Sequence, residues 1–385
     1  MKSIVTFYFA AVLAAAATYT VPTTGVAATL TYRVIDTEVI IDSCNWDVSG
    51  ELEIPDSIEG NRVTSVGAGA FAERNGLTSV KIGNSVASIG EYAFWGCINL
   101  TMVTIGNSVT SIGTGAFHHC TSLTSVTIPD SVTSIRESAF DGCTSLTGVR
   151  IPDSVTSIAE YAFWGTGLTR VIIGNSVTSI RKATFASCIN LTSVTIGNSV
   201  TSIGTGAFQH CTSLTSVTIP DNVTSIEGYA FYQCTSLTSA KIGNSVALIW
   251  GWAFYRCTSL TSVIFEGVAP TMGSSAFSSL GEGAKAIVQP VYASSFGGVG
   301  ALRNGLIVEW AELQITRSGL VNAGTFFIEF KAPGLGYRVM SSPTLDFNNA
   351  VEVDPTLEPI SATYNRFEFS VNGSRNFYRL EAAIQ

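Results

Sequence analysis

The sequence predicts a repeat solenoid, a β-solenoid or horseshoe of short parallel strands, followed by a small all-β domain. Two observations carry the solenoid. Phe recurs at positions 71, 94, 117, 140, 163, 185, 208, 231, 254 and 277, every interval being 23 residues except the 22 between Phe163 and Phe185. Between these residues each apolar position also keeps a fixed phase, and such regularity is the signature of stacked identical units. A third observation, alternating apolar and polar runs beyond residue 313, predicts the all-β end.

Taken from the start, Lys2 precedes an apolar run from Ile4 to Ala17, and the small residues Val26-Ala27-Ala28 follow. This reads as a secretory signal peptide over 1–28, with cleavage after Ala28 and a mature chain starting near Thr29. No later stretch reaches the roughly 20 apolar residues of a membrane span. Residues 29–66 read as an N-terminal cap with a first atypical coil around Gly50-Glu-Leu-Glu-Ile54, 67–280 as the repeats, and 281–312 as the closing cap. A stack needs caps because its ends would otherwise expose core and unpaired strand edges.

Within one repeat, Leu123-Thr-Ser-Val126-Thr-Ile128 alternates around β-branched residues and predicts a strand with one inward face. Pro-Asp-Ser or Gly-Asn-Ser then turns the chain, Val132 to Ile135 forms a second short extended piece, and Ala139-Phe140 is placed on a helical turn across the convex side. The copy after Phe163 has Thr166-Gly167-Leu168 where others have Cys and two further residues before Leu, which predicts a kink or bulge.

The string Leu-Thr-Ser-Val-Thr-Ile-Pro-Asp-Ser-Val-Thr-Ser-Ile, followed by Ala-Phe-x-x-Cys, resembles the BspA-type leucine-rich repeat over roughly residues 50 to 280. That resemblance implies a secreted or surface-displayed bacterial-type protein with a role in adhesion or coaggregation. Residues 313–385 read as a small β-sandwich-like domain, with strands at Thr325–Phe330, Tyr337–Met340, Asn365–Phe369 and Asn376–Leu380. The ending is similar to C-terminal modules of exported bacterial proteins, which implies attachment or spacing.

Of the 385 residues 46% are hydrophobic and only 12% charged, with a formal charge of −8, so the surface is largely Ser, Thr and Gly. No block of Lys and Arg supplies the counterion-release term, so nucleic acid and anionic membrane are not expected partners. Seven of the eight cysteines (97, 120, 143, 188, 211, 234 and 257) share one repeat position and form a ladder. Their common direction favours buried free thiols, with disulfides left open by an oxidising exterior. His118, His119 and His210 read as solvated convex-side residues, the last two lying too many coils apart to share an ion, so no metal or other cofactor is expected. Gly113-Thr-Gly115 and Gly204-Thr-Gly206 read as turns rather than phosphate loops. No nucleophile elbow, zinc motif or carboxylate pair breaks the repeat, so an enzyme is not expected.

The strand face turned away from the core is the candidate binding surface. Its first column is all Thr, including Thr124. The columns beside it are broken by Met102, Gly148 and Arg170 in one, and by Lys81, Arg150, Ile172, Lys241 and Ile264 among threonines such as Thr127 in the other. These exceptions form an amphipathic set of the kind protein interfaces use, with Arg as the anchor. The reading is a secreted or cell-surface binding protein recognising extracellular proteins or glycans. The alternatives are Thr ladders matched to ice or a crystalline glycan, and a purely structural spacer.

Overall fold

The computed structural model describes residues 17–297, 302–310, 314–322, 325–331 and 364–370. The repeats wind into a solenoid in which each coil contributes one front strand, one short second strand and one turn segment.

Front strands such as Leu77–Ile82, Met102–Thr104, Ser125–Thr127, Gly148–Arg150 and Arg170–Ile172 stack in parallel register. Alternation sets their faces: Leu77, Val80 and Ile82 are buried, whereas Thr78 and Lys81 are exposed. The second strands are two residues long, as in Ser111–Ile112 and Ser134–Ile135, and bury their Ile.

The turn segment is not the helical turn expected from Ala139-Phe140. Two left-handed residues flank the Ala-Phe pair, as at Tyr161 (φ 57°) and Gly165 (φ 61°) or Tyr229 (φ 60°) and Gln233 (φ 56°). Left-handed residues every few positions forbid a continuous right-handed helix. They instead aim alternate N–H groups along the solenoid axis: those of Gly69, Phe71 and Glu73 donate to the carbonyls of Glu91, Ala93 and Trp95 in the next coil. This side is therefore a third hydrogen-bonded ladder, which satisfies backbone that a bare loop would leave open.

The core is a set of columns. All ten repeat phenylalanines are fully buried, with adjacent rings stacked at centroid distances of 4.9 to 5.5 Å. The seven ladder cysteines are buried as free thiols, and each Sγ–H donates to the carbonyl of the phenylalanine one coil back, from Cys97 to Phe71 at 3.0 Å to Cys257 to Phe231 at 3.1 Å. Burial pushes the thiols of Cys97, Cys188 and Cys257 up to about 12. Thr166 takes the cysteine place in the short copy, where its hydroxyl meets Phe163 O and Cys188 Sγ.

The short copy also interrupts the stack. The second-strand sheet ends at Ser157–Ile158 and a new one starts at Ser179–Ile180, while the front strands on either side remain paired. One residue fewer between Phe163 and Leu168 pulls the turn tight, with Gly167 lying against Thr144 O where no side chain would fit. The front sheet breaks separately between Ser193–Thr195 and Ser216–Ile219, where Val194 is only half-buried.

At the N-terminal end, Ala28–Ile35 and Glu38–Cys44 form a hairpin through Asp36 and Thr37, both left-handed, and Glu38–Cys44 continues the second-strand sheet in parallel with Asn61–Val66. Ala17–Val21 pairs antiparallel with Ala28–Tyr32, so the folded cap begins upstream of the cleavage point expected after Ala28. Arg74 occupies the cysteine place in the first coil, where its guanidinium donates to Cys44 O and lies 4.2 Å over the Trp46 ring. At the other end, Lys285–Val288 and Leu306–Trp310 extend the front sheet, and Phe296 closes the core against Phe265.

Gln314–Asn322, Thr325–Lys331 and Tyr364–Ser370 form an antiparallel three-stranded sheet. The strands expected at Tyr337–Met340 and Asn376–Leu380, and with them the sandwich, lie outside the described residues. No helix among the described residues is long and apolar enough to cross a membrane.

Candidate binding face

The front strands present three outward columns. In the Thr column, Thr101, Thr124, Thr169, Thr192, Thr215 and Thr238 each donate a hydroxyl to the carbonyl of the threonine one coil back, at 2.9 to 3.3 Å. These hydroxyl protons already serve the backbone, so the column stitches the sheet and leaves methyl groups and acceptor lone pairs outward.

Register places Ser79, Met102, Ser125, Gly148, Arg170 and Ser193 side by side in the second column. In the third column Lys81, Thr104 and Thr127 are neighbours, and Arg150 sits beside Ile172. The candidate residues thus divide. Arg150, Arg170 and Ile172 lie together on adjacent strands, with Met102, Thr124 and Thr127 on the two strands before them. Lys81 lies one strand in from the N-terminal edge, next to Gly50–Ile54, and Lys241 on a strand beyond the break after Thr195, lining an open cleft with Asn198, Thr218, Asp221, Asn222 and Glu266.

Charge pairing divides them further. Lys81 Nζ lies 2.6 Å from Glu53 and Lys241 Nζ 2.7 Å from Glu266, while Arg150 reaches Asp130 only at 3.9 Å. Arg170 has no ion-pair partner among the described residues and stands beside Gly148, whose missing side chain leaves open space. Exposed pairs contribute little to stability. They do neutralise the two lysines as anchors for a ligand and leave the arginines as the available cations.

On the turn face His118 and His210 differ from the solvated expectation, while His119 meets it. His118 Nδ1 lies 3.3 Å from Asp141 with side chains 22% and 14% exposed, and burial holds His118 below its ordinary value despite the opposing pull of Asp141. Side-chain stacking of successive coils puts these two residues together, one per coil, so the half-burial is a product of register. His119 is exposed and His210 half-buried, and Gly115 and Gly206 are left-handed turn positions as expected. The turn face also exposes Tyr92, Trp95, Trp164, Tyr229 and Trp252, which the sequence reading did not single out. The signal was present in their fixed offsets from the repeat phenylalanine.

A capped parallel solenoid whose core is spent on stacking and whose outer strand face carries the irregular residues defines a leucine-rich-repeat protein. A model of the BspA type leucine rich repeat region matches residues 64–192 and 178–289 in six copies. The chain belongs to that family. Among solved structures it is similar to a leucine-rich repeat protein of T. pallidum, with 29% identity over 48% of this chain and 87% of that one and a TM-score of 0.46. It is also similar to one from Bacteroides ovatus, with 25% identity over 72% and 86% and a TM-score of 0.49. A leucine rich cell surface protein of Faecalibacterium prausnitzii is 24% identical over 65% and 95%, with a TM-score of 0.27. No curated protein matches the chain.

Proposed function

We propose that this is an exported, surface-exposed binding protein, rather than an enzyme, that holds an extracellular protein on its front-strand face. The observation that carries the reading is the cluster of Arg150, Arg170 and Ile172 on two adjacent strands, outward and without a close ion pair. Exposed arginines beside an aliphatic residue are the composition of an interface centre, and Met102 extends it. The strand positions can change without touching the core, so the face can be retuned while the stack stays intact. Export is supported by the apolar N-terminal run, and residues 313–385 supply attachment or spacing.

The test is an array of matrix proteins and cell-wall glycans probed with the full chain and with Arg150→Glu/Arg170→Glu. The double variant should keep the parent's unfolding midpoint and weaken capture of the protein ligand by tenfold or more, equivalent to about 1.4 kcal/mol. Undiminished capture by a folded double variant would remove the site from these strands.

A further inference from the structure

The turn face carries a second pattern, independent of the front strands. Two positions of each coil lie on it, one two residues before the repeat phenylalanine and one directly after it. In several coils they hold small or polar residues, such as Gly115 with His118, Ser138 with Asp141, or Gly206 with Gln209. In four coils both are aromatic: Tyr92 with Trp95, Tyr161 with Trp164, Tyr229 with Tyr232, and Trp252 with Tyr255. The first three pairs recur at every third coil.

Contacts between coils cover them only in part: Tyr92 lies over Gly115, and Tyr229 stacks on Trp252. Tyr92, Trp95, Trp164, Tyr229 and Trp252 are between 37% and 47% exposed. The earlier position of each pair is left-handed, with φ of 52° at Tyr92, 57° at Tyr161, 60° at Tyr229 and 58° at Trp252. Bulky residues are the least suited to that conformation, and Gly69, Gly115 and Gly206 fill the same place elsewhere. Three of these four rings, Tyr92, Tyr229 and Trp252, keep 39% to 47% of their surface in water, while Tyr161 is half-buried beneath Lys182. Rings held in the left-handed place with so much surface still outward point to a ligand.

Spacing names the ligand class. Beneath this face the ring centroids of adjacent coils lie 5.2 to 5.5 Å apart from Phe94 to Phe231. One sugar of an extended β-1,4-linked chain advances by nearly the same length. A chain laid along the axis thus stays in register with the coils, and every third sugar meets an aromatic pair. The ring pairs offer amphipathic surface to the C–H faces of pyranoses. Between the first two pairs stands the exposed His119, and between the next two the half-buried Gln209 and His210, as partners for hydroxyl groups. At the C-terminal end the pairs double, with Tyr229 stacked on Trp252 at 5.4 Å and Tyr232 on Tyr255 at 5.9 Å, and the next coil carries only Ser275 and Ser278.

We propose that the turn face binds an extended neutral β-1,4-linked glycan along the solenoid axis, held at Tyr92/Trp95, Tyr161/Trp164 and Tyr229/Tyr232. Four sugars are the least that can bridge two pairs.

The test is calorimetric titration of the full chain with cellohexaose and chitohexaose, and with the matching disaccharides. Variants replace a pair by the residues found at Gly206 and Gln209, as Tyr161→Gly/Trp164→Gln and Tyr229→Gly/Tyr232→Gln, and the single Trp164→Gln leaves every left-handed residue unchanged. One hexasaccharide should bind at least tenfold more tightly than its disaccharide, and each double replacement should weaken it tenfold or more. The single change should weaken it measurably with an unaltered unfolding midpoint. The proposal is overturned if neither hexasaccharide binds, or if binding survives both double replacements. It is equally overturned if binding is lost in Arg150→Glu/Arg170→Glu alone, which would put the glycan on the front strands. Failure here leaves the protein-capture array on those strands unaffected.

Discussion

Phe163→Ala should split the solenoid rather than merely weaken it. The Phe163 ring is fully buried and stacked on Phe140 at 5.2 Å and on Phe185 at 5.4 Å. Removing a buried ring of 150–250 Å² costs about 3–5 kcal/mol, and two stacked contacts disappear with it. A solenoid is held by nearest-neighbour terms, so the damage concentrates at the joint between these coils. That joint is already the weakest place in the second-strand sheet, which is interrupted between Ser157–Ile158 and Ser179–Ile180. Hydrogen exchange should show strands 148–150, 170–172 and 193–195 losing protection, while strands 77–82 and 239–242 stay close to the parent. Urea unfolding should resolve two transitions where Phe94→Ala, in an unbroken stretch, gives one. A loss below about 1 kcal/mol, or protection lost evenly along the chain, would refute the reasoning that the phenylalanine column carries coil-to-coil cohesion.

Three further outcomes follow from the same structure. The seven ladder thiols should resist a water-soluble thiol reagent in the folded protein and all react in denaturant, since each is buried, hydrogen-bonded and, at Cys97, pushed up to about 12; fast labelling of the native chain would contradict this. His118 should titrate below the ordinary value of 6.5 by NMR, and lower still in Asp141→Asn, because Asp141 is the largest influence raising it. With the folded value depressed, the unfolded chain binds more protons, so this residue's contribution to stability falls as pH drops from 6.5 toward the folded value; a thermal-unfolding series showing no such change against His118→Gln would be inconsistent with it. Finally, the mature N-terminus, read by mass spectrometry of exported protein, should fall at or before Ala17, since cutting after Ala28 would remove a strand that pairs with Ala28–Tyr32. A start at Thr29 in a stable protein would show that strand to be dispensable.

Much of the fold was legible because repetition amplifies weak signals: one Leu-x-x-Val-x-Ile segment is ambiguous, but nine in phase, with only Ala240 and Phe265 departing from it, can only be a stacked strand. The interruption after Phe163 was legible for the same reason, as a departure from period. The turn segment was misread because Ala-Phe favours neither helix nor turn by itself, and the deciding feature is the left-handed conformation of residues such as Tyr161 and Gln233, which are not glycine. The outward direction of Met102, Arg150, Arg170 and Ile172 followed from alternation. What alternation leaves open is which charges meet, because Glu53 against Lys81 and Glu266 against Lys241 depend on register between coils. The His118–Asp141 contact was hidden likewise.

The division of labour within one coil decides which positions are free to change. Inward positions are constrained by a neighbour on each side, so Phe holds its column unbroken from Phe71 to Phe277 and Leu from Leu77 to Leu260, and the Cys column gives way to Arg74 and Thr166 where these find buried hydrogen-bond partners. The outward threonines are half-constrained, since their hydroxyls bridge to the preceding coil. Only the remaining outward places are free, and there this sequence departs from its own repeat: at Arg150, Arg170 and Ile172 on the front, and at the aromatic pairs on the turn face. In a chain that otherwise repeats itself, these departures are what the two proposed contacts rest on, one set on each face.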